Sequence, residues 1–343
     1  MFNNLNFLVL WLTNDCNLRC KYCYASAGDK KEYMTFETAK KALEIPKSKF
    51  KLQLAGGEPL LNFNLIKDIH GYLKINKPEI RMQMQTNGAL INSEIAKDIK
   101  KMNISLGVSL DGPIEVNEKL RGGTKAVING IRTLAQEGIM VNLNCVVTEE
   151  NIQYLYKLVD LAIYLGNVGG IGLDLLRKTG RACNSDVKKA TPSQIKNHVR
   201  EAYNRTIELW KLTGRRIVIR EIEEARKRIV EGGGCTTYCH AVYGGSMVVH
   251  PDGNLYPCGS LSSAEYYMGN IYDLSSQREV RIGNNKAETC KGCKYEKICV
   301  GACPARNIVN GETHGVAIED CVLRKTAFEI VEEEIMKKCR GGI

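Results

Sequence analysis

NFLVLWLTNDCNLRCKYCYA, residues 6–25, runs from an apolar stretch straight into three cysteines within eight positions. The run at 6–13 reads as a buried strand, and the polar stretch after it as a loop. A closed zinc site takes four ligands and a disulfide two, so Cys16, Cys20 and Cys23, spaced C-x3-C-x2-C, match neither count. Thiolates suit zinc, copper(I) and iron–sulfur clusters. Three of them can hold a 4Fe–4S cube with one iron left open for chemistry. The alternative is a zinc knuckle that borrows a distant fourth ligand.

Outward from this loop the chain repeats one pattern. Apolar runs at 51–56, 80–86, 104–110, 140–147 and 170–176 read as five more strands, with helical patterns between them at 36–45, 63–75, 93–102, 126–138 and 151–166. Six βα units in succession predict an α/β fold on a parallel sheet, either doubly wound or an incomplete barrel. Both architectures place ligands at the carboxyl ends of the strands. The unusual residues fall there. The cysteines follow strand one, GGEP (56–59) strand two and TNG (86–88) strand three, and SLDG (109–112) ends strand four.

Two helical segments at about 193–231 lead to GGG at 232–234, where the composition changes: residues 235–321 hold eight of the fourteen cysteines. A boundary is placed near 232, and a final amphipathic helix at about 322–338 is expected to pack back on the rest. Fourteen cysteines without a secretory signal argue for metal ligation over a disulfide scaffold. The run at 6–13 has no basic flank or cleavage site, and no apolar run reaches about 18 residues. A soluble cytoplasmic protein without a membrane partner is expected. The formal charge of +10 is spread along the chain without a long basic run, which reads as solvated helix faces and not as a nucleic-acid surface.

With Tyr22 as the aromatic, C-x3-C-x-aromatic-C resembles the signature of radical S-adenosylmethionine (SAM) enzymes. Gly56-Gly57-Glu58-Pro59, Thr86-Asn87-Gly88 and Ser109-Leu110-Asp111-Gly112 continue the resemblance in order. It implies a partial (β/α)6 barrel with a C-terminal cysteine-rich iron–sulfur domain, in which the open iron chelates the amino and carboxylate groups of SAM. Reduction of the cluster then cleaves SAM to methionine and a 5′-deoxyadenosyl radical, which takes a hydrogen atom from the substrate. The implied SAM-binding set is Tyr22, Gly56, Gly57, Glu58, Asn87, Ser109, Asp111, Arg121 and Leu175. Within it the glycines would let the backbone approach the methionine moiety and Glu58 would support its ammonium. Ser109 and Arg121 would bind the carboxylate or ribose, and Tyr22 would lie near the adenine.

Cys290, Cys293, Cys299 and Cys303 read C-x2-C-x5-C-x3-C, with Cys321 beyond; upstream stand Cys239 and Gly253-x4-Cys258. This resembles the SPASM domain, a seven-cysteine module that carries two auxiliary 4Fe–4S clusters in many peptide-modifying relatives. The resemblance implies Cys239, Cys258 and Cys303 on auxiliary cluster I and Cys290, Cys293, Cys299 and Cys321 on auxiliary cluster II, hence three 4Fe–4S clusters in all. Cys235 either completes cluster I or stays free, leaving an open iron for a substrate thiolate. A pair of zinc sites is the alternative for this region. The implied division is a barrel at 1–215, a bridging helix and linker at 216–234, the SPASM domain at 235–325 and a C-terminal helix at 326–343. Cys145 reads as core, Cys339 as incidental, and Cys183, just past strand six, as a candidate hydrogen donor to a substrate radical.

Auxiliary clusters offer an acceptor for a second electron. The first reading is therefore oxidative maturation of a ribosomally made peptide, by a thioether or carbon–carbon cross-link. Formylglycine formation in a sulfatase is the nearest rival, but those enzymes carry an Asp directly after the cysteine matching Cys258, where this chain has Gly259. Epimerisation, modification of a porphyrin-like small molecule, and a non-catalytic iron–sulfur electron carrier complete the alternatives; a carrier needs no open iron. A flavodoxin- or ferredoxin-type electron donor is implied. A first strand at about residue 6 leaves no room for the leader-binding domain with which many peptide-modifying relatives begin. A separate leader-binding protein, direct binding by the barrel, or a substrate without a leader is expected instead.

Overall fold

In β1 (Phe7–Trp11), Leu8 and Leu10 pack into the helical core while Val9 and Trp11 pack on the opposite face, and all four are buried. A strand covered on both sides has no polar position to offer, which is why it reads as a continuous apolar run. The computed structural model describes residues 5–232, 239–273, 275, 277–280, 282–283, 290–312 and 316–340. After β1 come α1 (Phe36–Glu44), β2 (Lys51–Ala55), α2 (Phe63–Asn76), β3 (Met82–Thr86), α3 (Ser93–Lys101), β4 (Ser105–Ser109), α4 (Ile114–Leu120), α5 (Thr124–Gln136), β5 (Val141–Val147), α6 (Leu155–Leu165) and β6 (Val168–Leu175). The six strands fall where the apolar runs stand. The short α4 was not anticipated, since seven residues carry too few helical repeats to register.

β1 to β6 pair in parallel, each beside its predecessor. Right-handed crossovers that always step in one direction keep the helices on one face, whereas a doubly wound sheet reverses its strand order. The sheet is therefore an incomplete barrel.

A capping box of Thr191 and Gln194, with Pro192 in the first turn, starts α7 (Pro192–Thr213). β7 (Val218–Ile219) then joins β6 at the far edge, and α8 (Arg220–Glu231) follows. β8 (Ser246–Val249) runs parallel to β1 on its free side and β9 (Leu255–Tyr256) antiparallel to β8, so the sheet has the order β7-β6-β5-β4-β3-β2-β1-β8-β9. Strands of two to four residues lie below what periodicity detects, and none of these three was expected.

α9 (Pro304–Val309) and α10 (Ile318–Arg340) complete the chain. α10 starts four residues before the expected 322 and packs on α7 and α8. It is not one-faced, because Phe328 also stacks on Tyr295 at 4.7 Å, outside those helices. Arg306 of α9 ties this region to the end of β6. It is 2% exposed, and its guanidinium donates to Asp174 and Asp320 at 2.5 Å each and to the Leu175 carbonyl at 3.1 Å. The cysteine-rich region is thus attached along β1 and at the end of β6. No helix among the described residues is long and apolar enough to cross a membrane.

Candidate active site

A cavity of about 820 Å3 opens over the carboxyl ends of the strands. Cys16, Cys20 and Cys23 line it from the β1 loop, Gly56 and Gly57 from the β2 loop, and Asn87, Ser109 and Leu175 from the later strands. Its volume lies in the range of cofactor and substrate sites.

The cysteine loop is held in place by its backbone, which leaves the thiols available. Arg19 donates to the carbonyls of Cys16, Leu18 (3.0 Å) and Gly28 (2.9 Å). Arg181, from the segment after β6, donates to the carbonyls of Cys20 (3.1 Å) and Ala27 (3.0 Å), and its own amide reaches Cys23 O at 3.0 Å. Leu18, Cys20 and Tyr22 pack with Leu120, Leu176 and Val187 in a small apolar cluster beneath the loop. The thiols stand close enough to act on one another. Burial above all, then Glu58, Cys20 and Cys23, push the Cys16 thiol up to about 11 against the pull of the Leu18 amide, so its ligation releases a proton.

Several residues expected at the cofactor prove to be built into the wall behind it. Glu58 is fully buried and does not line the cavity; its carboxylate accepts from Thr86 Oγ1 (2.6 Å), Asn87 N (2.7 Å) and Leu60 N (3.1 Å). It joins the end of β2 to the end of β3, so the expected support of an ammonium is not what its geometry offers. Asp111, also fully buried and off the cavity, accepts from the Tyr22 hydroxyl and the Val146 amide (3.0 Å). Tyr22 in turn accepts from Arg121 Nη1 at 2.7 Å, so its ring is locked to the barrel by its polar end. Arg121 does line the cavity, and its Nε–H is buried without a hydrogen-bond partner among the described residues, a donor ready for an anionic group.

The two glycines of GGEP also serve the loop. A Cβ on Gly57 would stand 2.0 Å from the Asp15 carbonyl oxygen and one on Gly56 2.6 Å from that of Thr13. The Gly57 and Glu58 amides donate to those same carbonyls at 2.8 and 2.9 Å. The close approach is therefore to the cysteine loop itself. Gly57→Ala is expected to displace the 13–16 backbone, because neither side of the clash is a flexible side chain. A loss of about 1–3 kcal/mol in a urea titration, with reduced iron uptake at the Cys16 loop, checks this.

Seven of the remaining thiols gather in two places. Cys290, Cys293, Cys299 and Cys321 all line a second pocket of about 230 Å3. Cys239 borders the main cavity and packs with Cys258 and Cys303. Burial pushes the Cys239 thiol up to about 11, with Cys303 and Cys258 adding to it. Cys235 lies outside the described residues. Among the described residues no group of three or more His, Cys, Asp or Glu side chains is arranged to hold a single metal ion. Cys183 is exposed, its thiol directed at the Lys178 carbonyl (3.3 Å), and it does not line the cavity; nothing in this placement supports a hydrogen donor. Cys145 is fully buried, as a core thiol should be.

Sequence reading missed Gln53, Gln85 and Asn144 on the cavity wall, as well as Arg177, Arg181 and Arg220. Gln85 donates to Ser109 Oγ at 3.0 Å and accepts from Asn144, linking three adjacent strands across the floor. The signal was available. A central parallel strand is usually apolar on both faces, and here Lys51 and Gln53 of KLQLA, Gln83 and Gln85 of MQMQT, and Asn142 and Asn144 of VNLNCVV depart from that rule at alternate positions.

Comparison with known proteins agrees with this geometry. The Radical SAM superfamily model matches residues 12–162. An uncharacterized protein of Methanocaldococcus jannaschii is 32% identical over 84% of this chain and 96% of its own length. The radical SAM cyclopropyl synthase TigE of Paramaledivibacter caminithermalis is 26% identical over 86% of this chain and 66% of its own. A cysteine-type anaerobic sulfatase-maturating enzyme of Clostridium perfringens is 24% identical over 87% and 88%. Among solved structures, native anSMEcpe with bound AdoMet and the Kp18Cys peptide superposes with a TM-score of 0.80 at 20% identity, covering 98% of this chain and 99% of that one, which is a likeness of fold. The family match takes in the cysteine loop and the GGEP, TNG and SLDG turns together, and with relatives aligned across both the barrel and the cysteine-rich region, this chain belongs to the radical SAM superfamily, among its SPASM-type members.

Proposed function

We propose that this radical SAM enzyme acts on a peptide, forming a thioether or carbon–carbon cross-link in a ribosomally made substrate. The observation that carries the reading is the grouping of thiols into three sets, two of which border one large cavity over the strand ends. Cys16, Cys20 and Cys23 would hold the cube that binds SAM, and two polar groups on the cavity would orient the cofactor: Arg121 Nε–H, without a partner among the described residues, and the Ser109 hydroxyl, which accepts from Gln85 and keeps its own proton to donate. When bound, that pair supplies a 5′-deoxyadenosyl radical that removes a hydrogen atom from the substrate. Cys239, Cys258 and Cys303, and separately Cys290, Cys293, Cys299 and Cys321, would hold two auxiliary cubes able to take up the second electron that an oxidative cross-link releases. An external flavodoxin- or ferredoxin-type electron donor is the partner this reading calls for.

Formylglycine formation is the second reading, supported by the kinship with sulfatase-maturating enzymes. Position 259 argues against it. A Cβ there would stand 2.8 Å from the Trp11 ring, and that ring is itself stacked on His250 at 5.2 Å and 3°. An Asp base after Cys258 would have to displace a packed tryptophan.

The test is anaerobic incubation of reconstituted enzyme with SAM, a reductant and candidate peptides, read by mass spectrometry. A product short of two hydrogens, with its sulfur retained and a new bond between residues, is expected. An aldehyde that a hydrazine traps would favour the second reading and sink the first.

A further inference from the structure

Arg177, two residues past the end of β6, stands on the cavity wall between two of the thiol groups. Its guanidinium lies 5.8 Å from the ring centre of Tyr24, the residue next to Cys23, and Cys239 borders the same cavity. Asp174 holds it with a 2.5 Å ion pair. Its Nε–H is buried and has no hydrogen-bond partner among the described residues. Arg306 flanks the same region, but all its contacts run to Asp174, Asp320 and the Leu175 carbonyl, which leaves Arg177 with the free donor. The same Asp174 carboxylate also holds Arg306 of α9, the helix that Cys303 caps.

We propose that Arg177 is a positioning residue for electrons: its charge and free Nε–H raise the reduction potential of the cluster at Cys239, Cys258 and Cys303 and so favour its reduction. The inference rests on the ligand assignment proposed above. Its physics is general, because iron–sulfur potentials follow net charge and hydrogen bonds to the sulfurs. A buried guanidinium in a low-dielectric wall acts on both.

The experiment is a redox titration followed by electron paramagnetic resonance on reconstituted wild type, Arg177→Gln, Arg177→Lys and Asp174→Asn, with iron and sulfide counted in each. Arg177→Gln is expected to disfavour reduction of one cluster at least tenfold, which is 59 mV for a one-electron couple, and to leave the others in place. Arg177→Lys keeps the charge and should lose less. Asp174→Asn leaves the guanidinium without its counter-charge and should move the same signal upward, so it decides the matter if Arg177→Gln does not retain its full iron. Unchanged potentials in both Arg177→Gln and Asp174→Asn overturn the proposal. A Cys258→Ala variant identifies the cluster by loss of that signal. If Cys258→Ala retains all its iron and every signal, the ligand assignment itself has failed, and that result is distinguishable from a failure of Arg177.

Discussion

Cys16, Cys20 and Cys23 replaced together by alanine are expected to abolish 5′-deoxyadenosine formation and to lower bound iron from about twelve to about eight per chain. The fold should survive the change. The loop is held by Arg19 and Arg181 on backbone carbonyls and by the pairing of Thr13 with Tyr33, none of which uses a thiol. Circular dichroism and the urea midpoint should therefore stay near wild type while SAM cleavage disappears. That split separates the loss of a cofactor site from a general loss of structure. Cleavage that persists in the triple variant, or iron lost from all three sites together, would remove the claim that this loop holds its own cube.

The second large effect concerns stability. Arg306→Met leaves the buried Asp320 without its guanidinium and Asp174 with Arg177 alone, and breaking a buried pair by removing one partner costs about 3–5 kcal/mol. The consequence should be local as well as global, since Arg306 also holds α9 to the Leu175 carbonyl. Limited proteolysis is expected to cut the region after residue 232 sooner than the barrel. Neutralising the acid that Arg306 pairs at its buried end, as Arg306→Met with Asp320→Asn, should recover most of the loss; a double variant no better than the single one refutes the electrostatic account.

Acid should reveal the same network. Burial alone would raise the Asp174 pKa, but Arg177 and Arg306 hold it well below the usual carboxylate range. A carboxylate depressed in the folded state contributes stability that is present at neutral pH. That stability is lost as pH falls from about 3.9, the ordinary aspartate value, through the folded one. Arg306→Met should flatten that part of the acid limb, as read by unfolding titrations at stepped pH.

Much of the fold was legible because its signals are local. Strand β1 is a run of consecutive apolar residues, and the helices repeat every three to four. The direction of winding was not legible. Doubly wound sheets and open barrels share the same βα alternation, and only the pairing order of β1 to β6 separates them. The placement of β8 beside β1 joins residues about 240 apart in the chain, and no window of sequence reports such a pairing.

For the site, the chain itself determined which chemistry is available: three thiols at fixed spacing after a strand, and two further sets beyond residue 235. Tertiary structure alone decided the duties of the other motif residues. Glu58 and Asp111 enter the SAM-binding set through the family resemblance, Glu58 also as a carboxylate suited to an ammonium. Each instead meets donors 28 to 89 residues away and is sealed behind the wall. Gly57 is required by the Asp15 carbonyl and Gly259 by the Trp11 ring, both neighbours brought in by folding. Spacing along a chain fixes which groups leave a loop together. Where a buried side chain points depends on which distant donors can satisfy it, and only the packed structure holds those donors in place.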